Sequence, residues 1–394
     1  MLAEATKPST ERSAPYRLLD SWRGIAAFWV VMVHACIPIY SGVYPELATN
    51  PFYRFSMLGQ LGVTMFFVIS GFCIAAAALS SVKRPNPAKH FLIARFRRIY
   101  PPYIASTALA VAISLSATFL ASHHLMSPTH MTPILGQSFK FYFAALTITQ
   151  LPLHVEPIVM VYWSLCCEVA FYAIVALALF GIARKSKPAF FIVLNTLTVG
   201  TLAWMIFAPT HCPFPLKLWY QFGLGVMVFG LTSRQSEKLN KWFFIAALIL
   251  AAIFATVYQG PHSPIHPSSR MATFFCMGFA VLAVVCYRYD DLAMKNPLVR
   301  AFAWLGTISY SLYLVHALFR PLLFHIGEKL HLRGNLYIIS FFGQIAVEIV
   351  IAYGFHLLVE KPFLSSKAKQ REAEVRLAKP EAAATEAREV SGVA

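Results

Sequence analysis

The stretch LDSWRGIAAFWVVMVHA, residues 19–35, decides how the rest of the chain is read. Asp20, Arg23 and Gly24 stand at its start, nine further residues follow with hardly a polar atom, and then comes His34. An imidazole at the end of so apolar a run is expensive to place in lipid. Such groups are rare in membrane spans, and they face the bundle interior or a wet cavity. The remainder of the chain makes the membrane reading the better one. Of 394 residues, 58% are hydrophobic and 13% charged, with a mean hydropathy of +0.61. A soluble domain is nearer half apolar and a quarter charged.

The expected fold class is all-α, a polytopic membrane helical bundle with about ten transmembrane helices. The predicted spans are 24–40, 57–80, 101–122, 157–182, 189–208, 218–232, 242–258, 271–287, 301–320 and 336–358. FKFYFAALTITQL (139–151) is apolar but too short to cross, and reads as re-entrant or interfacial. With the N-terminus inside, the inner segments hold 26 of the 33 Lys and Arg. That bias predicts cytoplasmic termini in a multi-pass protein of the inner (plasma) membrane. Residues 1–18 read as a cytoplasmic segment with no cleaved signal peptide, 19–364 as the membrane domain, and 365–394 as a charged, disordered cytoplasmic tail.

The net charge of +16 is explained by bilayer topology rather than by nucleic acid. The seven cysteines lie mostly in apolar runs without metal-ligand spacing, and read as packing residues. His- and Pro-rich outer loops at 121–133, 208–215 and 259–267 read as solvated, and no metal site is expected.

Within the spans the ionisable residues are His34, Glu168, His316, Glu348 and His356, with Arg320 at an edge. Each is a functional candidate, against the plainer reading of a helix–helix hydrogen bond. His34, Ser70, Glu168, Ser309 and Tyr310 are expected at similar, middle depth, with His356 at the cytoplasmic interface. His316 shares a helical face with Ser309 and Tyr313. Glu348 stands alone, and packing and function are both open for it. Arg23 and His34, eleven residues apart, share a face about 16 Å apart along the axis. Gly24, Ala26 and Ala27 keep that helix thin, so that something can lie beside it.

The first inner loop ends in ARFRRIYPPY. Arg95 and Arg98 are one turn apart and suited to one phosphate-bearing group, with anionic lipid headgroups as the competing partner. In VYWSLCCEVAFY (161–172), Ser164 and Glu168 share a face. Trp163 serves either an aromatic belt or as a platform for a sugar ring.

Together these pieces resemble the acyltransferase type 3 family of multi-spanning membrane enzymes, which move acyl groups onto extracytoplasmic carbohydrates. The resemblance rests on LDSWRGIAAFWVVMVHA, GVTMFFVISGF, RFRRIYPPY, YWSLCCEVAFY, LGTISYSLYLVH (305–316) and VEKPF (359–363), in family order over nearly the whole chain. It implies that His34 is essential and pairs in motif with Arg23. It also implies that Arg95 and Arg98 serve an acyl-CoA donor, and that Trp163 to Glu168 form a conserved element. The fused SGNH hydrolase domain of some members is not expected, so a second transfer step would fall to another protein.

The expected function is acyl transfer, acetyl above succinyl or longer, from cytoplasmic acyl-CoA to a hydroxyl of a carbohydrate or glycolipid. His34 is the expected base, with Glu168 orienting it and Ser70 or Tyr310 at the oxyanion. An acyl-histidine route stays open. Arg23, Arg95 and Arg98 are expected on the donor, and Trp163, Ser164 and His316 on the acceptor. No permanently bound cofactor is expected, and the sequence does not fix an oligomeric state. The alternatives are a proton-coupled transporter or flippase, against which no inverted repeat is visible, and a catalytically silent scaffold.

Overall fold

The computed structural model describes residues 16–82, 84–123, 134–183, 186–209, 211–233, 237–257, 269–364, 369 and 372–373. Almost all of the expected tail and the first fifteen residues fall outside these. The described residues form helices and connecting turns, without strands. The main helices are α1 (Leu18–Ala35), α2 (Leu61–Val82), α3 (Pro87–Ser122), α4 (Phe139–Thr147), α5 (Trp163–Ala178) and α6 (Lys187–Phe207). After them come α7 (Leu216–Thr232), α8 (Glu237–Val257), α9 (Arg270–Cys286), α10 (Pro297–Thr307), α11 (Ser309–Lys329) and α12 (Tyr337–Phe355).

Among the described residues, seven helices are long and apolar enough to cross a membrane, namely α2, α3, α5, α6, α8, α9 and α12, and α10 with α11 makes an eighth if the bent pair is one span. The chain is thus a multi-pass membrane protein. Neither α1, with Asp20, Arg23 and His34 in its 18 residues, nor α7, with 17 residues, is among them. Most residues of both are buried, which identifies them as interior helices of the bundle.

Three boundaries differ from the expected spans, each for a local reason. First, α1 starts at Leu18. It has no side-chain cap of its own, and the Asp290 carboxylate accepts from the backbone N–H groups of Arg17 (3.1 Å) and Leu18 (2.7 Å). Such an anion at a helix N-terminus satisfies orphan donors and complements the dipole. His34 therefore lies in the last turn of α1, not at mid-span.

Second, the basic segment before Tyr103 is helix rather than loop, because α3 runs for 36 residues through Pro101 and Pro102. Proline removes the N–H that would bond four residues back, so the pair withdraws the helical partners of the Arg97 and Arg98 carbonyls.

Third, the predicted span 301–320 breaks at Ile308 and bends by 72°. Ser309 and Tyr310 thus stand at the start of a helix instead of its middle. The Ser309 hydroxyl donates back across the break to the Gly306 carbonyl (2.8 Å).

The expected re-entrant piece forms the short α4, capped by Ser138 and closed by a left-handed Ile148. It is docked by α3, since Tyr100 donates to the Leu146 carbonyl and Tyr103 donates to that of Ala145.

Glycine sets the closest helix approaches. A Cβ at Gly24 would lie 1.9 Å from the Phe302 carbonyl oxygen, and one at Gly306 would lie 1.8 Å from that of Asp20. On another side of α1, a Cβ at Gly59 would be 2.0 Å from the Trp29 oxygen. The thin face of α1 at Gly24 is therefore filled by α10 and is not open to a ligand. A second seam joins α2 to α7, where a Cβ at Gly71 or Gly225 would meet a backbone oxygen at 2.0 or 1.9 Å.

Candidate functional site

The start of α11 and the helices α1, α2, α3 and α5 surround a cavity with an empty volume of about 800 Å³. Arg23, Arg95 and Arg98 face it together with one carboxylate, Glu168. Ser70, Ser164, Tyr310 and Tyr313 complete its polar lining, and Val63, Phe66, Phe67 and Ile74 are among its apolar walls. Most of the residues singled out in the sequence thus share one chamber.

Its charge balance favours an anion. Neither Arg95 nor Arg98 has a carboxylate within ion-pair distance among the described residues, and Arg23 has only Asp20 at 3.6 Å. The Arg95 guanidinium lies over the Phe91 ring, 5.9 Å from its centroid, and its buried Nε has no hydrogen-bond partner. A buried donor without an acceptor is costly, and an anionic ligand would satisfy it. Arg97, the remaining arginine of the cluster, is exposed and does not line the cavity.

Among the described residues Glu168 makes no hydrogen bond to His34. Its Oε1 accepts from the Ser70 hydroxyl (2.6 Å) and from the Tyr172 hydroxyl (2.7 Å). The Ser70 proton is therefore directed at a carboxylate rather than at an oxyanion. Tyr310 likewise donates to the Ile99 carbonyl (2.8 Å), which ties α11 to α3 beside Arg98. Tyr172 was overlooked in the sequence, although it stands one turn after Glu168 on the same helical face.

His34 is not among the residues that line the cavity. Phe66 and Tyr313 both line the chamber, with their rings 6.2 Å apart. The Tyr313 hydroxyl donates to the Val161 carbonyl, so the Ser164 hydroxyl donates to Tyr313 (2.6 Å). The next ring beyond Tyr313 is His316, 6.0 Å away, and His316 stands 4.8 Å from His34.

Nδ1–H of His34 donates to the Val30 carbonyl (2.7 Å), which leaves the lone pair on Nε2. His316 does not line the cavity. It is 1% exposed, with its own Nδ1–H directed at the Leu312 and Tyr313 carbonyls, both at 3.0 Å. Trp163 starts α5, packs edge-on against Phe67 and does not line the chamber. Glu348 is buried on α12, away from the cavity lining.

His356 is buried. Its Nδ1 is 2.8 Å from Glu360, which also accepts from Ser311 (2.6 Å), and Glu372 approaches its Nε2 at 3.4 Å.

A model of the acyltransferase type 3 domain family matches residues 16–357. The exopolysaccharide production protein ExoZ of Rhizobium meliloti (strain 1021) is 24% identical over 329 residues, 78% of this chain and 90% of that protein. Protein 2 in the picA locus of Rhizobium radiobacter is 30% identical over 148 residues, 35% of this chain and 71% of that protein. No solved structure matches. With the family match spanning α1 to α12, including the cavity and both histidines beyond it, the chain belongs to the acyltransferase type 3 family.

Proposed function

We propose that this protein is an integral membrane O-acyltransferase that takes an acyl group, acetyl in the first instance, from cytoplasmic acyl-CoA to a hydroxyl of a cell-envelope carbohydrate or glycolipid. The observation that carries this reading is the cationic cavity, in which three arginines face one carboxylate and the buried Arg95 Nε lacks an acceptor. Arg23, Arg95 and Arg98 hold the donor's phosphates, and the pantetheine arm lies along the chamber toward Phe66 and Tyr313. The relation to an exopolysaccharide production protein supports a carbohydrate acceptor.

His34 is the base. Its Nε2 takes the proton of the acceptor hydroxyl as that oxygen bonds the acyl carbon and the thioester C–S bond breaks. The proton then leaves with the CoA thiol, so atoms and charge balance. Glu168, held by Ser70 and Tyr172, is the one carboxylate that faces the chamber, beyond ion-pair distance of Arg95 and Arg98.

In this reading the Arg23 end of the bundle is cytoplasmic and ten helices cross the inner membrane, with α1 and α7 shielded by the others. The membrane domain covers 19–364, with the terminal segments in the cytoplasm. Reporter fusions at Ser127 and Gly260 are expected to read as outside, and one at Ser236 as inside. A cytoplasmic signal at either of the first two overturns the orientation or the span count.

The function itself is tested with purified protein in vesicles, acetyl-CoA carrying a labelled acetyl group, and a polysaccharide fraction from the source cell. Release of free thiol with label appearing in the polysaccharide is the expected result. Movement of label across the bilayer without thiol release would instead identify a transporter.

A further inference from the structure

His34 has an imidazole neighbour in the bundle, His316. Nε2 of His316 lies 3.4 Å from Nδ1 of His34, with the rings edge to face. The bonds of each ring fix its proton. His316 donates from Nδ1 to the carbonyls of its own helix, so its Nε2 holds a lone pair. His34 carries its proton on Nδ1, between the Val30 carbonyl and that lone pair. Two imidazoles thus stand in series, and among the described residues Nε2 of His34, at the free end, has no protein partner.

We propose that His316 is a positioning residue for His34. Its Nε2 is a second acceptor for the His34 Nδ1–H, and it holds the imidazolium that forms when His34 takes the acceptor's proton. This rests on His34 being the base. A charge-assisted hydrogen bond is stronger than a neutral one, so this contact tightens as the reaction proceeds and not in the resting state. The site requires such an acceptor because Glu168 is bound to Ser70 and Tyr172, and no carboxylate is hydrogen-bonded to either histidine among the described residues. The arrangement also explains why a polar ring lies 1% exposed in this part of the bundle.

The experiment compares three changes in the transfer assay, with kcat and the KM for acetyl-CoA measured separately. His34→Gln tests the base. His316→Phe keeps a ring but removes the acceptor, and His316→Gln returns an oxygen near the position of Nε2. His316→Phe is expected to lower kcat roughly 10²-fold with the donor KM unchanged, the scale of a mispositioned reacting group. His316→Gln is expected to recover at least a tenth of the parental kcat.

In a His34→Gln background, His316→Phe should have no further effect, because the two residues act as a unit. If His34→Gln stays active, the base reading fails and this inference falls with it. If His34→Gln is inactive but His316→Phe is within about threefold of the parent, the positioning role alone is overturned. Equal losses in the Phe and Gln variants, or an additive loss in the double variant, also overturn it. Should His316→Phe fail to insert, the same criteria apply to His316→Gln against its double variant with His34→Gln.

Discussion

Replacing His34 with glutamine is expected to lower acyl transfer roughly 10²–10⁴-fold, and further if an acyl-histidine forms, while the protein stays inserted and still binds acyl-CoA. An amide fills much of the same space and hydrogen-bonds, but it cannot take a proton. The structure sharpens the expectation: the Val30 carbonyl holds the proton of His34 on Nδ1, so Nε2 is the basic atom. His34→Ala should be as inactive. Were His34 only a packing residue beside His316, the Gln variant would keep its activity and the Ala variant would express poorly. Transfer by His34→Gln within a few-fold of the parent ends the assignment.

The second large effect is expected on the donor. Arg95→Ala removes a guanidinium from a cavity in which it has no carboxylate partner, so the loss falls on the ligand rather than on an internal ion pair. A charge-assisted hydrogen bond is worth about 1.5–3 kcal/mol, or roughly ten- to a hundredfold in the KM for acetyl-CoA. Arg98→Ala should act in the same direction. A truncated thioester without the nucleotide should be nearly indifferent to either change. If full and truncated donors lose equally, the arginines serve folding or lipid headgroups instead.

Much of this was legible in the sequence because hydropathy and charge report directly on a bilayer. The helical class, the multi-pass character and the shared location of Arg23, Ser70, Arg95, Arg98, Glu168 and Tyr310 followed from spacing and from the family resemblance. The misreadings have a common physical cause. A hydropathy pattern places a residue in depth but does not say which way its hydrogen bonds go.

Hydropathy puts Glu168 and His34 at one depth, which suggests a pairing without fixing one. Four-residue spacing gives Glu168 the partner Tyr172, and a neighbouring helix gives it Ser70. His316 looked like an acceptor contact because its depth was visible and its burial was not. The break at Ile308 follows Gly306 by two residues, but a glycine in an apolar run does not by itself say that the helix bends there. The true start of α1 depended on Asp290, some 270 residues away in sequence.

The contact between α1 and α10 has a mechanical consequence. With Gly24 seated against Phe302 and Gly306 against Asp20, the two helices share one register. Sliding α1 by one residue means a 1.5 Å step and a 100° turn, which would drive Arg23 or Ile25 into a notch that has no room even for a methyl group. α1 is therefore a fixed post, and His34 at its far end keeps a constant height in the bundle. Whatever moves when a long donor is admitted has to be something else. The Tyr313 side of the chamber is held as well, because its hydroxyl is bonded to the Val161 carbonyl and to the Ser164 hydroxyl.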